Sequence, residues 1–295
     1  MTKLKAKDTL TPIELNKGEK IQFLRANGKS VEILLVNTRI DNLEQPEQKS
    51  LNKAEIGVGT IINFSCDVKI NGKKYTLKRE IGTQKSFYEP WEIEGLTIWL
   101  DAIREIFEEI LTENHGSLYP VPEKQARFAI QDIDLEICPE KLHPWCPLPA
   151  GGLRIEDCYR GEDCWLGPYD GIEAHGGLDI NHNEGTPLWA PLEIDDHYYF
   201  NSVEMGDNNN RWRGFHKWDN GSEWILQAHH MTELTVSEHK PLKKGEQFAR
   251  AAGVWVGAHE HSHFVFKIRE RGKTYILDPW ILFWKMYRDL EVGEK

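Results

Sequence analysis

Short runs of alternating or β-branched apolar residues fill residues 19–80. In chain order they read KIQFLR, VEILLVN, GTIINFSCDVKI and KKYTLKRE, and turn residues separate one run from the next. The dipeptide Asn71-Gly72 lies between the last two runs, and such a pair is typical of a two-residue β-hairpin turn. This pattern predicts short strands joined by tight turns.

Residues 96–113 have a different spacing. Apolar side chains recur there at intervals of three to four residues, at Leu100, Ile103, Phe107, Ile110 and Leu111. This period predicts a helix, with Gly116 as its stop signal. The first third of the chain is therefore predicted to be a small β-rich α+β module with one helix.

Many of the prolines and glycines lie in residues 118–171, which indicates a boundary between two folding units. Beyond this stretch, short strands and turns dominate again as far as about Ile276. A short helix is expected after Asp278-Pro279, where several apolar residues follow the proline. The sequence thus predicts a mainly β chain with few helices.

Composition narrows the class of protein. The chain has 295 residues, of which 40% are hydrophobic and 28% charged. These values exclude a disordered tail and a membrane bundle, and no apolar run approaches the roughly 18 residues of a membrane span. Acidic residues outnumber basic ones by 47 to 36, a net charge of −11. Without a basic cluster, a nucleic-acid or anionic-membrane partner is not expected.

The cysteines and the N-terminal residues bear on the cellular compartment in which the protein is found. There are five cysteines, and either Cys158–Cys164 or Cys138–Cys146 can be a disulfide or remain a pair of free thiols. The N-terminal residues are basic but lack the apolar core of a signal peptide. The expectation is either a cytoplasmic protein or one whose signal has been removed.

Candidate chemistry concentrates in the second half, because ten of the 12 histidines lie between His175 and His263. His175 and Asp179 stand four residues apart in HGGLD, and a nitrogen and oxygen pair of this kind suits Zn²⁺. This short motif also arises by chance, and a capped turn is the alternative interpretation.

A second motif is His261-Ser262-His263, which opens a run rich in valine, phenylalanine and isoleucine. Such a run predicts a strand, on which His261 and His263 share one face about 7 Å apart. Phe264 and Phe266 have the opposite parity and can face a core. A further strand, EWILQAHHMTEL, carries His229 and His230.

An alternative interpretation of the same region is the zinc-protease signature HExxH, with His259 and His263 as ligands and Glu260 as general base. That signature requires a helix, whereas Gly257 and the alternating run predict a strand. It also leaves His175 and Asp179 without a role. We therefore expect the match to be coincidental.

Four fragments, in this order, carry a resemblance to a known family: HGGLD, GTPLWAP, an Ala-His pair before a loop, and HSHF. Over about residues 143–285 the sequence resembles the M23 family of zinc peptidoglycan endopeptidases, the lysostaphin and LytM group. The resemblance implies an antiparallel β-sheet or sandwich catalytic domain. The chain would then comprise an N-terminal module at 1–120, a Pro-rich linker at 121–142 and an M23-like domain at 143–295.

The resemblance also implies roles for single residues. His175, Asp179 and His263 would bind Zn²⁺, and His229 and His261 would be unliganded catalytic histidines, with His230 competing for the role of His229. The implied activity is hydrolysis of peptide bonds in cell-wall peptidoglycan crosslinks or another peptide substrate, in the periplasm or outside the cell. Ser262 replaces the leucine usual in this family, and His259 a glycine, which bears on substrate choice more than on metal binding.

Two other function classes are consistent with parts of this pattern. One is a catalytically inactive M23-like module that binds or activates another cell-wall enzyme. Such modules usually lose metal ligands, whereas this sequence keeps the full set. The other is a metal-free phosphocarrier with paired histidines, which should lack Asp179.

Overall fold

The computed structural model describes residues 1–44, 61–110, 121–159, 165, 168–169, 173–200, 210–252 and 261–293. Nineteen strands and two α-helices make up most of this part of the chain. The prediction of a mainly β fold is confirmed. No helix in the described residues is long and apolar enough to cross a membrane.

The first part of the chain forms two sheets. Its elements are β1 (Thr2–Lys5), β2 (Thr11–Leu15), β3 (Lys20–Leu24), β4 (Ser30–Glu44), β5 (Ile61–Ile70), β6 (Lys73–Ile81), β7 (Trp91–Ile93), β8 (Leu96–Ile103), α1 (Arg104–Ile110) and β9 (Ala126–Asp132). A five-stranded sheet has the order β1-β3-β4-β5-β6, and a four-stranded sheet the order β2-β9-β8-β7. Strands β1 and β3 are parallel, and the other pairs in these two sheets are antiparallel.

The hairpin expected at Asn71-Gly72 is confirmed. Strand β5 ends at Ile70 and β6 begins at Lys73, so two residues make the turn. Both have positive φ, 49° at Asn71 and 81° at Gly72. Asparagine and glycine tolerate this conformation, which gives the turn the twist of its flanking strands.

The helix predicted over residues 96–113 is wrong in its first half. Residues 96–103 form strand β8, which pairs with β7 on one side and β9 on the other, and the helix α1 covers only Arg104–Ile110. The segment LTIWLDAI is apolar on both faces because both are buried. A run of this kind has no clear period, and its pairing partners decide its conformation. Leu111 and Gly116 lie outside the described residues.

The predicted linker at 121–142 contains a strand of the N-terminal sheet. All seven residues of β9 are buried, and they pair with β2 and β8. Residues 126–132 are therefore an integral part of the first half, which corrects the description of this stretch as a linker. Whether the N-terminal part folds as a separate module stays a prediction.

The second part of the chain is built around one large sheet. Its elements are β10 (Pro168–Tyr169), β11 (Glu173–Ala174), β12 (Leu178–Asn181), β13 (Pro187–Trp189), β14 (Asp196–Phe200), β15 (Asn210–Lys217), β16 (Glu223–Leu234), β17 (Gln247–Ala251), β18 (His261–Glu270), β19 (Lys273–Leu277) and α2 (Trp280–Gly293). The main path is β12-β18-β16-β15-β14, with β19 beside β18 and β17 beside β16 and β13. All pairs in it are antiparallel.

One face of the large sheet packs into the core, as the parity of β18 predicts. Phe264, Phe266 and Ile268 are fully buried. Phe264 contacts Phe283 of α2, with ring centroids 5.3 Å apart. The helix α2 begins after Asp278-Pro279 as expected, because Asp278 Oδ1 accepts a hydrogen bond from the Trp280 amide at 2.8 Å.

A buried polar cluster joins the two parts of the chain. Arg79 of β6 forms an ion pair with Asp278, just before α2, and donates a hydrogen bond of 2.6 Å to the Asp101 carbonyl. The Asp101 carboxylate in turn accepts a hydrogen bond of 2.8 Å from the Asp278 amide. The two parts therefore share an interior.

Three of the described cysteines are free thiols. Cys66, Cys138 and Cys146 are buried and unbridged, and Cys158 is buried. Cys138 and Cys146 are thus not joined to each other. Burial raises the pKa of the Cys138 thiol to about 12, which keeps it protonated and unreactive. Cys164, the partner of Cys158 in the other candidate pair, lies outside the described residues.

Candidate metal centre

Three neighbouring strands bring the chemistry-bearing residues together on the face opposite the core. In the antiparallel register, Asp179 of β12 stands beside His263 of β18, and His263 stands beside His229 of β16. Residues paired in this way point to the same side of a sheet. His175 precedes β12 and its side chain is 7% exposed.

The donor atoms of His175, Asp179 and His263 lie within 4.8 Å of one another. His263 Nδ1 is 2.7 Å from Asp179 Oδ1, and His175 Nε2 is 3.0 Å from His263 Nδ1 and 3.3 Å from Asp179 Oδ2. Bonds of about 2.0–2.2 Å to a tetrahedral Zn²⁺ separate neighbouring ligand atoms by about 3.3 Å. The residues present therefore fit a zinc ion, and their spacing already approaches that of a ligand set.

Gly177, in the middle of HGGLD, makes this convergence possible. A Cβ atom there would lie 2.4 Å from Cε1 of His263 and 2.5 Å from the carbonyl oxygen of Phe264. Any side chain would thus occupy the space that the His263 ring uses. The glycine allows the loop carrying His175 to pass directly over β18.

The electrostatics keep the Asp179 carboxylate ionised and favour the neutral form of the His263 imidazole. Burial acts to raise the pKa of Asp179, but His175, His263 and His261 hold that pKa well below its usual range. Burial lowers the pKa of His263 despite the neighbouring Asp179. An ionised carboxylate and neutral imidazoles are the protonation states that bind a metal ion.

Two further histidines, His229 and His261, lie next to the three ligand candidates. The rings of His229 and His263 are 4.7 Å apart, centroid to centroid. His261 Nε2 lies 3.6 Å from Asp179 Oδ2, and the Tyr159 ring lies 4.1 Å from the His261 ring. Burial, followed by the nearby His263, lowers the pKa of His229 well below its usual value.

His230 belongs to the same cluster because of a bulge in β16. Arg211 pairs with His229 and Asn210 pairs with Met231, so His230 is an extra residue in the ladder. Its φ is 63°, a left-handed conformation that is uncommon outside glycine. The bulge turns two consecutive side chains toward the same face, and the His230 ring lies 4.6 Å from that of His261.

The structure places His175, Asp179, His229, His261 and His263 in one cluster, and it adds three features that the sequence analysis does not contain. The sequence predicts that His229 and His230 compete for one role, whereas both face the cluster. It neither singles out Tyr159 nor assigns Gly177 a role. The glycine had a signal, since a Gly-Gly pair between His175 and Asp179 permits close approach of two backbones. Tyr159 had none, because its neighbour His261 is 102 positions away.

The zinc-protease alternative conflicts with the described strand. HExxH requires His263 on a helix with His259, but His263 lies on β18, which runs from His261. His259 and Glu260 themselves lie outside the described residues. Trp212 and Trp224 of the large sheet are fully buried, so neither offers an exposed platform for a ligand.

The chain is similar in structure to several solved peptidases. No family model matches the chain, and no curated protein matches it. The catalytic domain of the antimicrobial peptidase lysostaphin from Staphylococcus simulans is similar at 17% identity, over 48% of this chain and 89% of that one, with a TM-score of 0.30. A zinc-containing peptidase from Vibrio cholerae is similar at 11% identity, over 84% of this chain and 85% of that one, with a TM-score of 0.31.

A protein from Pseudomonas aeruginosa, assigned by its name to the M23 peptidases, is similar at 11% identity, over 93% of this chain and 94% of that one, with a TM-score of 0.30. The chain is similar in structure, at low sequence identity, to peptidases of the M23 type, the family that its motifs resemble.

Proposed function

We propose that this protein is a zinc-dependent endopeptidase that hydrolyses peptide bonds in the crosslinks of bacterial cell-wall peptidoglycan. The observation that carries the proposal is the convergence of two imidazoles and one carboxylate, His175, Asp179 and His263, within 4.8 Å. Three protein ligands leave one position of a tetrahedral ion open, the arrangement of a catalytic zinc site. The motif order that resembles the M23 family supports the choice of peptide bonds.

The ligands would be His175 through Nε2, Asp179 through its carboxylate and His263 through Nδ1. Zinc bound by these three residues would supply a water molecule of lowered pKa and a Lewis acid for the scissile carbonyl. His175 and Asp179 are buried and the His263 side chain is 14% exposed, which limits the access of bulk water to the ligand atoms. No nucleophilic serine or cysteine is required.

The remaining histidines would handle protons. His261 Nε2 is 3.6 Å from Asp179 Oδ2, at the edge of the ligand set, where it can accept a proton and return it to the leaving amine. His229 Nε2 is buried and has no hydrogen-bond partner in the described part of the chain. It is therefore available to donate a hydrogen bond to the developing oxyanion.

His230 is a third candidate for proton transfer. Its ring is 4.6 Å from His261 and 6.3 Å from His263, so it lies one step further from the ligands than His229 does. We assign His230 the role of holding the His261 ring in position.

The proposed substrate implies that the protein acts in the periplasm or outside the cell.

Two variants on the same strand separate the metal ligand from the proton-transfer group. His263→Ala should lose zinc, because one of three ligands is gone. His261→Ala should keep zinc at near wild-type occupancy and lose about 10²–10⁴-fold in turnover, as expected for a positioned acid–base group. Zinc content by elemental analysis and hydrolysis of defined peptidoglycan fragments by mass spectrometry measure both effects.

His239→Asn is a suitable control. His239 is an exposed histidine with a φ of 57°, which asparagine tolerates, and this variant should match the wild type in zinc and turnover. Loss of zinc from His261→Ala with retention in His263→Ala would contradict the assignment. A wild-type protein that holds zinc and cuts no peptidoglycan fragment would instead support the non-catalytic binding module.

A further inference from the structure

The face of the large sheet that carries the histidines extends away from them as a cationic surface. We define the cationic patch as Arg211, Arg213 and Lys267. Side chains alternate along a strand, so Arg211 and Arg213 share a face of β15, and Lys267 shares the face of His261 and His263 on β18. Arg211 stands directly beside His229 in the register. The patch and the metal centre thus lie on one face of the large sheet.

The charges of these three cations are not neutralised by a carboxylate within the part of the chain that the structure describes. No residue in the described ranges forms an ion pair with Arg211, Arg213 or Lys267. Their neighbour Arg269, on the same face, is instead paired with Glu223 at 2.6 Å. In a chain with a net charge of −11, three adjacent unpaired cations are unexpected. Like charges placed together raise the free energy of the protein unless an anion joins them.

Arg213 is held in place by aromatic groups and leaves part of its guanidinium unused. Its Nη1 donates a hydrogen bond of 2.6 Å to the Tyr198 hydroxyl. Its Cζ lies 5.4 Å from the Tyr198 ring centroid and 5.9 Å from that of Phe200. Its Nε is buried without a hydrogen-bond partner among the described residues. A guanidinium oriented in this way is ready to donate to an incoming anion.

Lys267 lies diagonally across the intervening strand from Arg213, because Arg213 aligns with Gln227 and Val265, two residues before Lys267. The backbones of β15 and β18 are separated by β16, which is a distance of about 10 Å. Burial, followed by Arg213 and Arg269, lowers the pKa of Lys267 to about 8. Lys267 and Arg213 are therefore close enough to repel one another, and an anion between them would relieve that repulsion.

We propose that Arg213 and Lys267 form a subsite for a carboxylate of the peptide substrate, with Arg211 as a second cation toward the metal centre. This proposal rests on the function proposed above and adds a substrate class to it, namely peptides that carry a free carboxylate near the scissile bond. Arg213 is two residues along β15 from Arg211, which is about 7 Å, and one strand spacing from β16. The carboxylate would lie on the order of 10 Å from the metal ligands, about three residues of extended peptide.

The test compares the same peptidoglycan fragments with free carboxylates and after their conversion to amides. The wild type should cleave the free-acid fragments with at least tenfold higher kcat/KM, since a hydrogen bond between charged groups differs from a neutral one by about that factor. Arg213→Gln and Lys267→Met should each lose most of this preference while retaining zinc and activity on the amidated fragments. Arg213→Lys, which keeps the charge, should restore part of it.

Lys78→Met is the matched control. It also removes one positive charge, from an exposed position on β6, and should keep the full preference. Equal kcat/KM for the free-acid and amidated fragments would overturn the subsite while leaving the proposed peptidase intact.

Binding of the two fragment sets, measured by calorimetry, makes the test independent of turnover. If neither set is cleaved, the proposed function fails. In that case, tighter binding of the free acids that is lost in Arg213→Gln would still support the subsite, and equal affinities would overturn it.

Discussion

Gly177 is the residue at which the metal centre has the least room. In the Gly177→Ala variant, the new methyl group would lie 2.4 Å from the His263 ring and 2.5 Å from a backbone oxygen. The backbone oxygen cannot move without disturbing β18, so the ring or the whole loop must shift. We expect a large loss of zinc affinity together with a lower melting temperature, measured by zinc titration and thermal unfolding.

Gly185→Ala separates this effect from ordinary backbone strain. Gly185 has a φ of 80° and open space around the position of a Cβ atom. Its replacement should cost about 1 kcal/mol of stability through the unfavourable φ alone. Zinc affinity should remain that of the wild type. Unchanged zinc affinity in Gly177→Ala would show that His263 is not confined by the glycine.

At the scale of the element, the bulge in β16 decides which histidines reach the site. His229 continues the regular ladder opposite His263, and His230 is the inserted residue with a φ of 63°. A non-glycine residue in the left-handed region costs about 1–2 kcal/mol. The bulge therefore lowers the stability of β16 locally, and it places the imidazoles of His229 and His230 on one face.

This geometry predicts opposite orders of stability at two adjacent positions. His230→Gly should be more stable than His230→Ala by about 1 kcal/mol, because glycine adopts positive φ without strain. His229→Gly should be less stable than His229→Ala by about 0.5–1 kcal/mol, as is usual within a strand. Denaturant unfolding of the four variants measures both differences, and the same order at the two positions would contradict the bulge.

At the scale of the whole molecule, the buried cluster of Arg79, Asp101 and Asp278 ties the two parts of the chain together. Arg79 is fully enclosed and paired with Asp278, which precedes α2. Aromatic contacts reinforce the junction, since Trp99 of β8 and Trp284 of α2 meet edge to face at 5.4 Å. A fragment of the chain that starts near residue 140 would lack Arg79, Trp99 and Asp101. It would therefore expose their partners Asp278 and Trp284.

Removing one charge from this junction should be more harmful than removing both. Arg79→Met leaves Asp278 buried without its partner and should cost about 3–5 kcal/mol. The double variant Arg79→Met/Asp278→Leu should cost clearly less than the sum of the two single variants, because no unpaired charge remains. Chemical denaturation measures each value, and the exposed pair of Lys20 and Glu32 offers a control, Lys20→Met, with little expected change. Additive losses at Arg79 and Asp278 would contradict the coupling.

Local patterns predicted the elements whose signals are complete within a few residues. The turn at Asn71-Gly72, the alternation along His261–Ile268 and the start of α2 after Asp278-Pro279 all follow from the chemistry of adjacent residues. The three-to-four spacing of Leu100, Ile103 and Phe107 predicts a helix for the segment 96–103, whereas its strand conformation depends on pairing with β7 and β9. Strand β9 was missed because it lies among the prolines and glycines of residues 118–171, and it forms only against β2 and β8.

The sequence by itself determined the mainly β class, the parity that puts His261 and His263 on one face, and the donor types that suit zinc. These depend on side-chain chemistry and on a two-residue period, both of which can be read without knowing any contact. Tertiary structure alone decided that β12, β18 and β16 lie side by side, so that Asp179, His263 and His229 align across three strands. It also decided that His230 joins them and that Arg213 and Lys267 share one face of the sheet. Strand order and register bring together residues far apart in the chain, and no local period encodes that pairing.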